Sequence, residues 1–440
     1  MASESIQRRI TAPLTSTSRA YYAILVATAV VILLTIEAII HILWVGIGAT
    51  DLGTWGTMQG VTWGLFIGTF EWFAGMALGA VAISGYIRYR SLDRYAIIAR
   101  IGEIWGFIAG LSAAWLIVID LGRPERVPFI LSIWPQTIGH SPLAWDVTFV
   151  TTLLVFTMTM TAITLRRDFA RLQIDLPRHV RLIKRLVTIG YREEESPKLN
   201  SMIRWLGLGL MVFVVTAGMV PGWLFGVVGA QAGYYGGIQG ISFVAGGLAS
   251  GVAIIAVLAA GMRFAYGWED ILPVEMFASF GRAMALFAFV YLVVIFNEIL
   301  PMVFPMAPVG EGQIGDAMLF GSLAPYFWLS IILLSVATFV LMVQTYRGAI
   351  GYRDTVIGAA HILLALFIKK QLTVIEPLMY PHPELPYSVG TYSPMPIEWV
   401  ITLGAVAIAG FLFLVAIKVV PMAHESGFTT GWTERMEGTR

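Results

Sequence analysis

The chain has 440 residues, 58% of them hydrophobic and 12% charged, with a net charge of +1 and no cysteine. That charged share is about half that of a soluble domain, which excludes a water-soluble globular protein. Without cysteine the chain forms no disulfide and cannot ligate an iron–sulfur cluster through thiolates, and nucleic acid is not an expected partner.

The first 19 residues hold Arg8, Arg9 and Arg19 among Ser and Thr, without the apolar core or cleavage site of a signal peptide. Apolar runs then fall near 20–48, 60–87, 97–119, 143–165, 202–228, 238–265, 278–304, 325–345, 355–376 and 397–420. About 20 residues rising 1.5 Å each cross a bilayer. Lipid cannot hydrogen-bond a bare backbone, so each run is expected to be helical. The alternating segments of a membrane β-barrel are absent. The expected fold is all-α, a polytopic transmembrane protein of about ten helices.

Run one carries Glu37 and His41, four residues apart and so on one helix face. Run two carries Glu71 and a series of glycines, Gly64, Gly68, Gly75 and Gly79, which suits close helix packing. Glu103 lies in run three, Asp120 closes that run, and Asp146 opens run four. The polar stretch 166–201 is basic and includes Glu193, Glu194 and Glu195; it reads as a linker with a helix lying along the membrane surface. Run seven holds Asn297 and Glu298; run nine holds His361, Lys369 and Lys370, with Glu376 at its end. An ion-paired scaffold in which a lysine meets Glu298 or Glu376 is the favoured account of these, and a second polar route the alternative. Segments 120–142, 305–324 and 377–396 are rich in Pro and Gly and are expected to be ordered but non-helical. Trp55, Trp134, Trp223 and Trp399 sit near run ends as interfacial anchors.

If the runs alternate in direction, 24 of the 28 Lys and Arg residues fall on one side. The other side keeps Arg123, Arg126, Lys369 and Lys370. Lys- and Arg-rich loops stay cytoplasmic, so a cell-membrane protein with both termini inside is expected. Asp120, Asp146 and His41 then lie near the outer surface, Glu37 and Glu71 deeper, and Glu103 toward the inside.

Ionisable groups inside a bilayer are costly, and each is a functional hypothesis. A quinone headgroup needs hydrogen-bond partners for two carbonyl oxygens and a proton acceptor, and its tail needs an apolar cleft. Histidine suits proton exchange because its pKa lies near neutrality. Haem is not expected: only His41 and His361 lie within runs, and they fall near opposite faces. No phosphate-binding loop or zinc-type ligand spacing is present, and no metal site is expected.

Two motifs sharpen this reading. Asp120-Leu121-Gly122-Arg123-Pro124 ends run three, and Ser141-Pro142-Leu143-Ala144-Trp145-Asp146 starts run four. With Trp63-Gly64-Leu65-Phe66-Ile67-Gly68, Gly75 and Gly79, they resemble the polysulfide reductase membrane subunit family, NrfD. The segment Gly390-Thr391-Tyr392-Ser393-Pro394-Met395-Pro396-Ile397-Glu398-Trp399 is similar to the ten-helix branch of that family. The resemblance implies a haem-free subunit of two four-helix bundles with two additional C-terminal helices. The corresponding expected units are 1–165, 166–201, 202–345 and 346–440. It implies menaquinone or a related quinone bound near the outer face of the first bundle. A four-cluster iron–sulfur ferredoxin-like subunit would dock there and serve a molybdopterin or other catalytic subunit. Asp120, Arg123, Ser141, Trp145 and Asp146 match motif positions around that site, and His41 falls where some members place a polar residue facing the quinone. Glu37, Glu71, Glu103 and Glu298 are candidate proton-relay groups by depth. A proton- or ion-conducting transporter module and a purely structural membrane anchor are the competing readings.

Overall fold

The structure, a computed structural model, describes residues 9–53, 61–172, 175–228, 231–234, 236–305, 307, 310–380 and 388–422. Arg8, Trp55, His382, His424, Arg435 and Arg440 lie outside these residues. The described residues form helices and connecting segments, with no strand among them. After a one-turn helix at Ala12–Thr15, the helices in chain order are α1 (Arg19–Val45), α2 (Leu65–Tyr89), α3 (Ala96–Asp120), α4 (Val127–Thr137) and α5 (Pro142–Arg171). There follow α6 (Arg178–Val187), α7 (Ser196–Thr216), α8 (Val220–Gly226), α9 (Ile238–Tyr266), α10 (Val274–Val303) and α11 (Glu311–Phe320). The last three are α12 (Ala324–Arg347), α13 (Tyr352–Met379) and α14 (Pro396–Val419).

Nine helices among the described residues are long and apolar enough to cross a membrane: α1, α2, α3, α5, α7, α9, α10, α12 and α14. The 28-residue α13 matches them in length, and its two lysines find acidic partners inside the protein. The first and last described segments come together on one face. The Arg9 guanidinium pairs with Asp270 beyond α9, and Lys418 of α14 donates to the Ser16 carbonyl at 2.5 Å. The ends of alternate helices bring the arginines of α2, α5 and α7 to this face, called here the basic face.

Two connections expected to be irregular are helical. Segment 120–142 contains α4, because Pro128 falls in its first turn, where a missing N–H costs nothing. Segment 305–324 contains α11, entered through Gly310 at φ +86°. The basic stretch does form a surface helix. Val180 of α6 is buried with Leu14, Phe169, Leu172 and Leu176, while its arginines face outward.

Helix α2 is the centre of the molecule. Its most apolar 18-residue window is 89% buried, against 11% for α1. It packs on α3 and α7, and with α5 these make one group of four. Helices α9, α10, α12 and α13 make a second group. The groups meet where α2 crosses α9. A Cβ on Gly79 would stand 2.0 Å from the Gly247 carbonyl oxygen, and one on Gly251 would stand 2.2 Å from the Gly79 carbonyl carbon. The glycines of run two thus place two helix backbones in direct contact. The helices additional to the two groups are the first and the last, rather than the last two. Helix α1 packs chiefly along α14, where Gly404 leaves room for the Thr35 side chain.

Candidate functional site

Two buried charge clusters are strung along α2, and the residues Glu71 and Arg88 mark them. The difference 88 − 71 is 17 residues, which at 1.5 Å per residue is about 25 Å of helix.

The cluster nearer the basic face is closed on itself. Arg88 Nε donates to Glu103 Oε1 at 2.8 Å, and Arg100 donates to Glu103 Oε2 at 2.9 Å and to Asp168 Oδ2 at 2.5 Å. Arg100 also reaches the Thr164 hydroxyl at 2.6 Å. All of these side chains are buried. Glu103, expected as a proton-relay group, is held between two guanidinium groups, an arrangement that stabilises the ionised carboxylate and joins α2, α3 and α5.

The opposite end is built differently. Lys370 of α13 donates to Glu71 Oε2 at 3.0 Å, so one buried ion pair links the two helix groups. The Lys370 ammonium also lies 4.5 Å from the centre of the Phe243 ring. Its neighbour Lys369 pairs with Glu298 at 3.1 Å, one of the two lysine–glutamate pairings expected from sequence. Each of these carboxylates keeps one oxygen, Glu71 Oε1 and Glu298 Oε2, without a hydrogen-bond partner among the described residues. Glu376 is fully buried and keeps both.

Asp146, in the first turns of α5, is fully buried and within electrostatic reach of Glu71. Neither of its oxygens has a partner among the described residues. Asp120 closes α3 at the same end, is 6% exposed, and leaves Oδ1 without one. On the same helix the Trp115 indole N–H and the Ser112 hydroxyl are buried and equally unpartnered among those residues. Four side chains of α3 and α5 therefore hold buried polar atoms near one end of the first group with hydrogen-bonding capacity unused. Leaving such groups unsatisfied costs about 1–3 kcal/mol each.

The motif that begins α14 closes this end. Glu398 is fully buried and accepts from the Tyr392 hydroxyl at 2.5 Å, the Met395 N–H at 2.8 Å and the Asp51 N–H at 3.3 Å. The Tyr392 oxygen accepts in turn from the Leu65 N–H at the start of α2, at 3.0 Å. Burial and the Glu398 carboxylate push the Tyr392 phenol up, so it stays protonated and keeps donating. Glu398 also lies within electrostatic reach of Asp120.

The other expected residues are placed apart from this group. Trp145 donates its indole N–H to the Ile138 carbonyl at 2.5 Å, tying the α4–α5 turn down. Ser141 caps α5 by position, without a side-chain cap bond. Arg123 is exposed and makes no ion pair with Asp120 among the described residues. Glu37 and His41 share one face of α1, but that face is exposed, and they line a shallow surface groove with Leu33, Ile36, Ile40 and Trp44. Trp115, Ser112, Lys370 and Glu398 were not singled out from the sequence for this site. Lys370 carried a signal as a charge inside an apolar run, and Glu398 lay within the quoted segment Gly390–Trp399; Trp115 and Ser112 carried none.

Comparison with known proteins shows the family. The sequence model of the family described as polysulphide reductase, NrfD, matches residues 53–380. A protein of Mesobacillus selenatarsenatis named as a subunit of selenate reductase is 24% identical over 388 residues, covering 83% of this chain and 87% of that protein. A Halobacterium salinarum protein, provisionally named as a membrane subunit of dimethyl sulfoxide reductase, is 22% identical, covering 90% of this chain and 95% of its own length. With its family model spanning most of the sequence, the chain belongs to the polysulphide reductase NrfD family.

Proposed function

We propose that this chain is the quinone-handling membrane subunit of a respiratory reductase complex, with its site at the end of the first helix group remote from the basic face. The observation that carries the reading is the set of buried, unpartnered polar atoms on α3 and α5: Trp115 Nε1, Asp120 Oδ1 and both oxygens of Asp146. These fit a quinone headgroup, since an indole N–H donates to a carbonyl oxygen and a carboxyl group exchanges protons with one. A bound quinone supplies two-electron, two-proton redox chemistry there. The protein's part is to orient the headgroup, exclude water and carry protons, which Asp146 would pass toward Glu71. The basic face is assigned to the cytoplasm, so the site opens outward.

Electrons come from a partner, because a chain without cysteine cannot hold an iron–sulfur cluster through thiolates. The partner proposed is a ferredoxin-like iron–sulfur subunit docked outside, serving a catalytic subunit with molybdopterin or another centre. The two relatives, each named as one subunit of a reductase, support that assembly. The conducting-module reading has less support. Residues Trp72–Ile83, between the two clusters on α2, carry no titratable side chain, which favours proton exchange at one face.

The isosteric change Asp146→Asn tests the assignment in the purified complex. It removes a proton carrier and keeps the volume, so quinol-linked turnover is expected to fall by about a hundredfold or more while the partners still co-purify. His41→Ala, on the exposed face of α1, is expected to lower turnover far less. Turnover unchanged by Asp146→Asn would remove the site from α3 and α5.

A further inference from the structure

At the basic face the ends of α2, α3, α5 and α7 surround a half-open cavity of about 200 Å³. Its volume is several times the ~30 Å³ that one water occupies, enough for a phosphate group but not for a whole lipid. Arg88, Arg167, Arg171 and Arg204 line it, together with Asn200 and a single carboxylate, Asp93.

These arginines differ in how far they are neutralised. Arg88 is buried against Glu103, Arg167 binds Asp168 and Asn200, and Arg171 binds Glu193. Arg204 is exposed and makes no hydrogen bond or ion pair among the described residues. Acidic residues behind the wall fix three guanidinium groups in place, and the fourth is left to face the cavity. Guanidinium groups present planar donor forks that match phosphate oxygens. A cavity of this kind between helix ends at a membrane surface favours an anionic headgroup over a zwitterionic one.

We propose that this cavity is a binding site for a phosphate group, held by Arg204 with Arg167 and Arg171, and that its natural source is the headgroup of an anionic phospholipid in the adjoining leaflet. The site lies at the end of the first helix group away from the proposed quinone site, so occupancy and turnover are separable. The bound headgroup would join α2, α3, α5 and α7 on the same face as the closed arginine–glutamate cluster.

The test uses the full chain, with any partners that co-purify, in nanodiscs of phosphatidylcholine doped with phosphatidylglycerol. Native mass spectrometry counts retained lipid, and thermal unfolding reports stability. The expected result is preferential retention of phosphatidylglycerol and a higher unfolding midpoint with it. Arg204→Gln should weaken retention about fivefold or more, the loss of one basic group at a membrane surface. Because Arg204 has no partner among the described residues, this variant is expected to fold normally. Arg167→Gln, which also touches Asp168, is the second variant. Arg347→Gln, exposed at the end of α12, is the control expected to change nothing. Inorganic phosphate is titrated separately in phosphatidylcholine alone. A matching rise in midpoint, lost in Arg204→Gln, would support the phosphate site but assign it to free phosphate instead of lipid. No preference for phosphatidylglycerol and no effect of phosphate, or a preference that survives both variants, would overturn the proposal.

Discussion

Replacing Lys370 with Met is expected to lower the stability of the protein by about 3–5 kcal/mol, the usual cost of breaking a buried ion pair by removing one partner. Met keeps most of the unbranched stem, so lost packing is a minor part. What remains is the Glu71 carboxylate, fully buried, with its one hydrogen-bonded oxygen released. The loss falls at the contact between α2 and α13, where the two helix groups are joined, and a favourable approach to the Phe243 ring goes with it. The double variant Glu71→Gln/Lys370→Met removes the charge left behind and should recover most of the midpoint. The half-exposed Arg9–Asp270 pair supplies the contrast. Arg9→Gln should cost no more than about 1 kcal/mol, because solvent screens such pairs. Thermal unfolding of the four proteins in one detergent checks the series. Equal losses for the single and double variants would show that Lys370 acts through packing rather than charge.

Gly79→Ala is the second large effect. A methyl group there would stand 2.0 Å from the Gly247 carbonyl oxygen and 2.8 Å from the Gly251 Cα. Both are backbone atoms that no rotamer change can move aside, so α2 and α9 must separate. Overpacking costs about 1–3 kcal/mol where side chains can adjust, and more is expected where they cannot. Gly75→Ala is the matched control, since its Cβ would meet nothing closer than the Gly247 Cα at 3.5 Å, an ordinary contact. The prediction is poor monodispersity on size-exclusion chromatography for Gly79→Ala and near-normal behaviour for Gly75→Ala. Indistinguishable variants would mean that the crossing is looser than the backbone contact indicates.

The membrane-spanning helices and the glycine face of α2 were legible in the sequence, because hydropathy and spacing are local properties of the chain. The pairing of Lys369 with Glu298 was within reach too, since a lysine inside an apolar run needs a carboxylate. Lys370 with Glu71 was not, because the partners lie 299 residues apart and depth alone does not say which helix faces which. The same gap affected α1. Its i,i+4 spacing puts Glu37 and His41 on one face, but nothing local tells whether that face meets lipid or protein. The helices α4 and α11 were missed because proline and glycine were read as breaking structure where they begin it. Trp115 and Ser112 stand in an ordinary apolar run, and only three-dimensional packing reveals that their polar atoms lack partners among the described residues.

The pairing of α1 with α14 has a consequence for how the protein is made. Helix α1 finds its main neighbour only when α14, more than 350 residues further along the chain, is synthesised. Until then α1 must persist in the bilayer without that partner, with Glu37 and His41 on its exposed face. A nascent chain stopped anywhere before residue 396 therefore leaves α1 unclasped. Synthesis of α14 is what fastens α1 to the rest of the molecule.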